Sequence, residues 1–514
     1  MKTWKVVLIL VLVVPRVLRM AWPEVWLEDA DYMHAGFLIS RGFLPYRDFV
    51  CPHFPLLEGL LGLVYFVFGP SIRAAEVLTQ AAVLATALVL FRIVSPRRGR
   101  TYAILAAAIY GFSSLIFRYH LFEREIFTNL TGACLIASVL SAKPDPRKRL
   151  AALIGFSCLS LLLKLTAGWE VLAVLVFLLL IRGALREVTI TLGGILMVMS
   201  TLSLAAFLTF GDRFLLQVLI FHFFKGARGN PWENLLLIRR WLDLAGALGF
   251  AGVLTRFVGV RVKDKQWDEL DSMMLLWLVV PLSYYLFLSP TFWEHNLIPL
   301  LIPLSCFGPE AILSVYDLLR GGIRQHIQLA GVTALIAIIF GIQVFPIKNN
   351  QWKLDSVYGF GFRSRKEIRE AAGAVRAESG PNEVIIAPPE VAVEAGRREL
   401  VHYREIFGPM KEIERIWDSE GFAGLGRESR KDDFFRRLAD LAPVGGEEAL
   451  RAIEGEGDSP RRVRVVVPDS RKSLLSEFRI LPDRLIREGF TPVYKGEIYT
   501  VWSVRSAARS APAK

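Results

Sequence analysis

The chain reads as a polytopic α-helical membrane protein that ends in a small α/β domain. Three observations predict this. Hydrophobic residues make up 53% of the 514 positions and the mean hydropathy is +0.41, high for a chain of this length. The apolar residues gather in runs of about 20, the length that crosses a bilayer core. Those runs stop near residue 346, after which the sequence turns charged.

About eleven spanning helices are predicted. They fall at 4–22, 72–94, 101–118, 126–142, 149–165, 169–182, 187–210, 240–258, 272–289, 297–316 and 327–345. The first has the basic start and apolar core of a signal peptide. No small-x-small pattern precedes Trp22-Pro23-Glu24, so a retained anchor is expected. Basic residues then mark every second loop: Arg97, Arg98 and Arg100; Lys143, Arg147, Lys148 and Arg149; Arg182 and Arg186; Arg256, Arg261, Lys263 and Lys265; Arg320 and Arg324. The positive-inside rule assigns that face, with Lys2 and Lys5, to the cytoplasm. The alternate loops at 23–71, 119–125, 166–168, 211–239 and 290–296 then face outward, as does everything after about 347. Leu56 to Phe68 is apolar but short, bounded by Pro55 and Gly69-Pro70. A span there inverts the charge pattern, so an interfacial or re-entrant helix on the outer face is expected.

The division predicted is therefore a transmembrane domain at 1–346, with its first outer loop at 23–71, and an extracytoplasmic domain at 347–514. In the latter, Val384 to Ala387 and Val463 to Val467 read as buried strands, and Val493 to Val501 as a closing strand. Lys366 to Ala377 and Leu474 to Glu488 read as helices, and the acidic, Gly-rich stretch Glu447 to Pro460 as a loop.

Composition narrows the function. Much of the basic excess behind the net charge of +12 lies in the short loops between spans, which points to membrane topology and not to nucleic acid. Cys51, Cys134, Cys158 and Cys306 show no paired spacing, so neither a disulfide framework nor a thiolate metal site is indicated. There is no Walker loop, Rossmann fingerprint or nucleophile elbow, so nucleotide-driven chemistry has no support.

The outward loops hold the chemistry. Five of the seven histidines fall on or beside them: His34, His53, His120, His222 and His295. Glu28, Asp29, Asp31, Asp48, Glu123, Glu125 and Glu294 accompany them, as do Arg47, Arg118, Arg124, Lys225 and Arg228. Lys164 stands near the outer end of an apolar helix, where it must snorkel, pair or meet an anion. Groups from distant parts of the chain thus share one face, as a pocket at a membrane surface requires.

The sharpest cluster is Glu28-Asp29-Ala30-Asp31-Tyr32. If a helix starts after Glu28, then Glu28 and Asp31 share a face and Asp29 is rotated away. A carboxylate there accepts a proton from an attacking hydroxyl or amine; the plainer reading is acidic residues favoured in a first helical turn. A second cluster, Tyr119 to Glu125, opens a helix with four ionisable groups and is either an interfacial cap or a second wall of the pocket. In Phe292 to Asn296, Trp293 anchors the interface, while Glu294 and His295 are turn residues or headgroup contacts. The stretch Phe221 to Asn230 mixes aromatics with cations and suits a segment meeting lipid headgroups. No pair of these side chains has ligand-like local spacing, so no metal site is assigned, although the chemistry of this face admits a divalent ion.

The first loop also carries an ordered set of motifs. Glu28-Asp29 is followed by Gly42, Pro45-Tyr46-Arg47-Asp48-Phe49, His53-Phe54-Pro55, and Phe68-Gly69 before Ser71-Ile72-Arg73. In this the chain resembles the GT-C membrane glycosyltransferases, especially the branch with protein O-mannosyltransferases and the lipid A aminoarabinose transferase. The resemblance covers residues 20–170 well, is looser to 345 and slight beyond. That branch has Asp-Glu where this chain has Glu28-Asp29, and Lys-Pro where this chain has His53-Phe54-Pro55.

The resemblance implies a GT-C fold and inverting sugar transfer from a polyprenyl-phosphate donor, on the extracytoplasmic face, to a lipid, glycan or protein acceptor. It implies a first-loop carboxylate as general base, among Glu28, Asp29 and Asp31. The family's acidic residue at the start of the fourth helix maps to Glu123 or Glu125, its mid-helix Lys to Lys164 and its late outer His to His295; Arg47, Asp48, His53, Arg118, His120 and Lys225 are further candidates for the donor's phosphate or sugar. It requires no cofactor. Two other classes fit parts of the pattern. A transporter or channel also places charges within apolar helices, but along a midplane pathway. A polysaccharide ligase or polymerase also uses a polyprenyl-phosphate substrate, with its active groups expected in a long late loop.

Overall fold

The computed structural model describes residues 3–21, 24–27, 30–116, 122–141, 145–224, 231, 234–235, 244–262, 267–289, 294–319, 361–400, 404–428, 465–467, 482–496 and 499–504. The helix expected at 327–345 and the loop at 447–460 lie outside them.

Described helices stand within a few residues of ten of the eleven predicted spans. They are α1 (Thr3–Ala21), then β1 (Glu24–Leu27), α2 (Ala30–Ser40) and α3 (Leu56–Phe68) of the first loop, then α4 (Ile72–Arg98), α5 (Arg100–Ile116), α6 (Arg124–Leu140), α7 (Pro146–Leu163), α8 (Gly168–Leu180) and α9 (Leu185–Phe210). A short run with one π turn at Leu216–Ile220 follows, then α10 (Leu244–Val262), α11 (Glu269–Phe287) and α12 (Leu301–Leu319). Four described stretches are long and apolar enough to cross a membrane by length and composition alone: Ile72–Arg98, Leu185–Phe210, Glu269–Phe287 and Asn296–Tyr316. Helices α5 and α6, at 17 residues each, extend about 25 Å, close to the bilayer limit.

α3 has the bounds expected for the interfacial helix. Its 13 residues extend only about 20 Å, too short for a span. It packs on α2 where two glycines let the backbones approach. A Cβ on Gly62 would stand 2.9 Å from Ile39, and one on Gly36 would stand 3.1 Å from Leu61. Leu63, Phe66, Val67 and Phe68 face outward from the opposite side.

The alternation of basic loops becomes a physical end of the bundle. The Arg98 guanidinium, at the end of α4, lies 2.9 Å from Asp268 and 2.6 Å from Asp271 at the start of α11. Arg256 joins Asp271 at 2.8 Å, and Arg182, just beyond α8, pairs with Glu269 at 2.6 Å.

At the other end of α4 stands the C-terminal region: β2 (Gly361–Ser364), α13 (Arg365–Glu378), β3 (Val384–Ile385), α14 (Pro389–Ala395), β4 (Arg398–Glu399), α15 (Arg404–Glu428), β5 (Val465–Val466), α16 (Pro482–Arg487), β6 (Thr491–Lys495) and β7 (Thr500–Ser503). β1 pairs antiparallel with β2, β3 runs parallel to β4, and β7 lies between β5 and β6. Ile386 also bridges to Val466, which ties the second pair to the third sheet.

Three local readings need correction. The closing strand expected at Val493 to Val501 is a hairpin, β6 and β7, reversed near Gly496, whose N–H donates to the Tyr499 carbonyl at 2.8 Å. Lys164 is not inside a helix: α7 ends at Leu163 and Lys164 is extended, with φ −157°. The helix expected from 297 begins as a 3-10 turn, Glu294–Leu300, because Pro299 removes a backbone donor from an α-helical ladder.

A candidate active site at the first-loop end

Glu123, Arg124 and Glu125 open α6. A helix N-terminus favours the two carboxylates and disfavours the cation. Arg124 is held there by what it meets. It is 1% exposed, pairs with Glu58 of α3, and donates to the Leu163 carbonyl at 2.8 Å. Its guanidinium carbon stands 4.6 Å from the Tyr32 ring centroid, which ties α6 to the first turn of α2. The turn before α6 is strained: Phe122 has φ 73°, unusual for a residue with a side chain, and its N–H donates to the Thr79 hydroxyl at 3.1 Å.

The extended backbone at Lys164 turns its side chain toward α6. Its ammonium pairs with Glu125 and reaches Asn296 Oδ1 at 3.4 Å. Glu170, in the first turn of α8, interacts electrostatically with both Lys164 and Glu125. Four buried carboxylates (Glu58, Glu123, Glu125 and Glu170) thus stand near two cations, Arg124 and Lys164. Among the described residues, one oxygen of Glu58 and one of Glu170 have no hydrogen-bond donor.

His53 brings in the first loop. Its ring lies 4.9 Å from that of His222 and 6.1 Å, edge-on, from Tyr32. The loop that delivers it is fixed. The Tyr46 hydroxyl donates to the His53 carbonyl at 2.8 Å, and Gln217 Oε1 accepts from the Cys51 N–H at 2.8 Å. Burial pushes the Tyr46 phenol well above its ordinary range.

Of the residues expected from sequence, Asp31, His53, Glu123, Glu125 and Lys164 fall on α2, the first loop, α6 and the turn after α7 at this end. Arg47 and Asp48 do something else locally. They pair with each other at 2.9 Å, and Asp48 Oδ2 accepts from the Leu44 N–H at 2.8 Å, closing the turn around Tyr46. The Arg47 guanidinium and the Leu44 N–H hold the Asp48 carboxyl below the usual range. Glu28, Asp29, Arg118, His120 and Lys225 lie outside the described residues, as does the side chain of His295.

The sequence reading missed Glu58, Glu170, Asn296 and the role of Tyr32. A signal existed for the first two: each is a lone carboxylate in an apolar helix, which by default marks function in a membrane protein. Among the described residues no three His, Cys, Asp or Glu side chains gather as a metal-holding set.

With this geometry established, the chain is a polytopic membrane protein of the GT-C fold. The crystal structure of ArnT from Cupriavidus metallidurans bound to undecaprenyl phosphate matches it with a TM-score of 0.63 at 11% identity, over 98% of both chains. The apo state of the same enzyme matches with a TM-score of 0.62 at 12% identity, again over 98% of both. The apo oligosaccharyltransferase of Archaeoglobus fulgidus matches with a TM-score of 0.50 at 11% identity, over 98% of this chain and 75% of that one. At these identities the likeness is one of fold. No family model and no curated protein sequence matches the chain.

Proposed function

We propose that this protein transfers a sugar from a polyprenyl-phosphate donor to an acceptor on the extracytoplasmic face of the membrane, with inversion. The observation that carries this is the buried ionic cluster of Glu58, Arg124, Glu125, Lys164 and Glu170, assembled at the first-loop end of an apolar bundle. Buried ion pairs add little to stability, so such a cluster needs another reason. A fold shared along the whole chain with a structure that holds undecaprenyl phosphate supports a lipid phosphate as the ligand. The arginine-rich opposite end supports an extracytoplasmic site, since basic residues favour the cytoplasmic side.

In the reaction, the acceptor oxygen bonds to the anomeric carbon as the bond from that carbon to the phosphate oxygen breaks. The acceptor proton passes to a first-loop carboxylate, with Glu28, Asp29 and Asp31 as the candidates. The prenyl phosphate departs with the electron pair. Lys164, drawn away from bulk solvent by Glu125 and Asn296, is the described cation suited to the leaving phosphate. His53, whose ring lies 4.9 Å from that of His222 and beside Tyr32, is suited to the sugar or phosphate. Arg118, His120, Lys225 and His295 remain candidates for the same ligand, and the acceptor enters from outside.

The test is a transfer assay in reconstituted vesicles with labelled polyprenyl-phosphate sugars, comparing wild type with Glu28→Gln, Asp29→Asn and Asp31→Asn. At least one variant should lose about a hundredfold or more in kcat. Full activity in all three removes the first loop as the source of the base.

A further inference from the structure

The first turn of α2 carries Asp31 and Tyr32, and Tyr32 is the residue that meets both Arg124 and His53. α3 supports one side of this helix. The C-terminal region grips it at three successive points. Before it, β1 pairs with β2 in the register Val25↔Arg363 and Trp26↔Phe362. Within it, His34 is fully buried, and both of its ring nitrogens face Glu399. The Glu399 backbone N–H donates to Nε2 at 3.2 Å, and a carboxylate oxygen stands 3.8 Å from Nδ1. Beyond it, the Arg398 guanidinium lies 4.7 Å from the Phe43 ring.

The gripping element is itself anchored. Arg398 and Glu399 form β4, paired with β3, and the Leu400 N–H donates to the Ile385 carbonyl at 2.8 Å. The same region is bolted to the start of α4, where Arg365 pairs with Glu76 and Glu394 accepts from the Ile72 N–H at 3.1 Å. An imidazole in a site that only needed filling is a costly choice, since each ring nitrogen must find a partner. Leucine fills such a space without that demand.

We infer that His34 is a positioning residue through which the C-terminal region sets the first turn of α2, and with it Asp31 and Tyr32, against the cluster on α6. The inference rests on the transferase reading above. It gives the C-terminal region a part in turnover itself, since a small displacement of groups near a reacting centre lowers kcat steeply.

The experiment measures kcat and donor KM of the full chain in vesicles for His34→Leu, His34→Gln and Arg398→Gln, per folded enzyme. A glutamine amide oxygen reaches the position of Nε2 and still accepts the Glu399 N–H; leucine cannot. His34→Leu should lose about tenfold in kcat with donor KM within about twofold, and His34→Gln should recover to within about threefold of wild type. Arg398→Gln, at a partly exposed residue, should lose about threefold in kcat with KM unchanged. Wild-type kcat in His34→Leu, or equal losses in the leucine and glutamine variants, overturns the inference. If His34→Leu does not fold, Arg398→Gln decides, and an unchanged kcat overturns it. A wild type that transfers no sugar from any donor is a different result and refutes the transferase reading.

Discussion

The two ends of the bundle both bury charge, and they do so differently. At the arginine-rich end, one oxygen of Asp271 accepts from Arg98 at 2.6 Å, from Arg256 at 2.8 and 3.1 Å, and from the Asp268 N–H at 3.2 Å. Asp268 returns the favour by capping the Asp271 N–H, so the whole array closes α11 at its start. At the first-loop end, Glu58 and Glu170 each keep an oxygen with no donor among the described residues, and Phe122 holds a strained backbone angle. A satisfied network rigidifies; an unsatisfied one, kept in a buried place, is where a ligand belongs. On the transferase proposal, the difference predicts a structural role for the Asp271 array and a chemical role for the first-loop end.

The sharpest way to break that contrast is to remove one cation from each end. Lys164→Met removes the cation that pairs with the buried Glu125. It should cost about 3–5 kcal/mol of stability and about a hundredfold or more in kcat of the surviving folded enzyme. Arg98→Met leaves Asp271 still held by Arg256, so about 1–3 kcal/mol is expected, with kcat per folded molecule within about twofold of wild type. Thermal melting beside the transfer assay reads both. A large kcat loss in Arg98→Met erases the distinction between the ends.

Glu170→Gln sharpens it further. The substitution keeps the shape and replaces a buried carboxyl that has one oxygen unmet. Stability should hold or rise, by up to about 1 kcal/mol, since no full ion pair is broken. Transfer should nonetheless fall about tenfold, because an amide no longer offers Lys164 and Glu125 the carboxyl that interacts with both. A protein that is both less stable and fully active places Glu170 with the structural residues.

Much of this was legible in the sequence, and the reasons are physical. The spans were readable because apolar runs of bilayer length alternate with basic loops, and α3 was readable to the residue because Pro55 and Gly69-Pro70 bound it. The hairpin of β6 and β7 was hidden because one apolar stretch at period two reads as one strand; Gly496 was the turn signal available. Lys164 and the Glu123-Arg124-Glu125 triplet stood out as charges against apolar surroundings. Glu58 and Glu170 carry the same signal more faintly, since one carboxylate barely dents the hydropathy of an apolar helix. Their partners were beyond reach: Arg124 lies 66 positions from Glu58 and His34 lies 365 from Glu399, so only the tertiary fold joins them.

The smallest expected effect concerns Asp48, which sequence assigned to the donor and whose contacts close a turn. Its carboxyl is held below the usual range by the Arg47 guanidinium first and the Leu44 N–H second. A depressed folded-state value contributes stability above the unfolded pKa of about 3.9, and that stability is lost as pH falls through the lower folded value. The pair is largely solvated, so the contribution is small. Asp48→Asn keeps an oxygen for the Leu44 N–H. It should change stability by less than about 0.5 kcal/mol at neutral pH and flatten the decline below about pH 4, read by melting across pH. Its kcat/KM should stay within about threefold of wild type. A loss of about a hundredfold with unchanged melting moves Asp48 from the turn to the donor site, and extends the chemically active end of the molecule outward along the first loop.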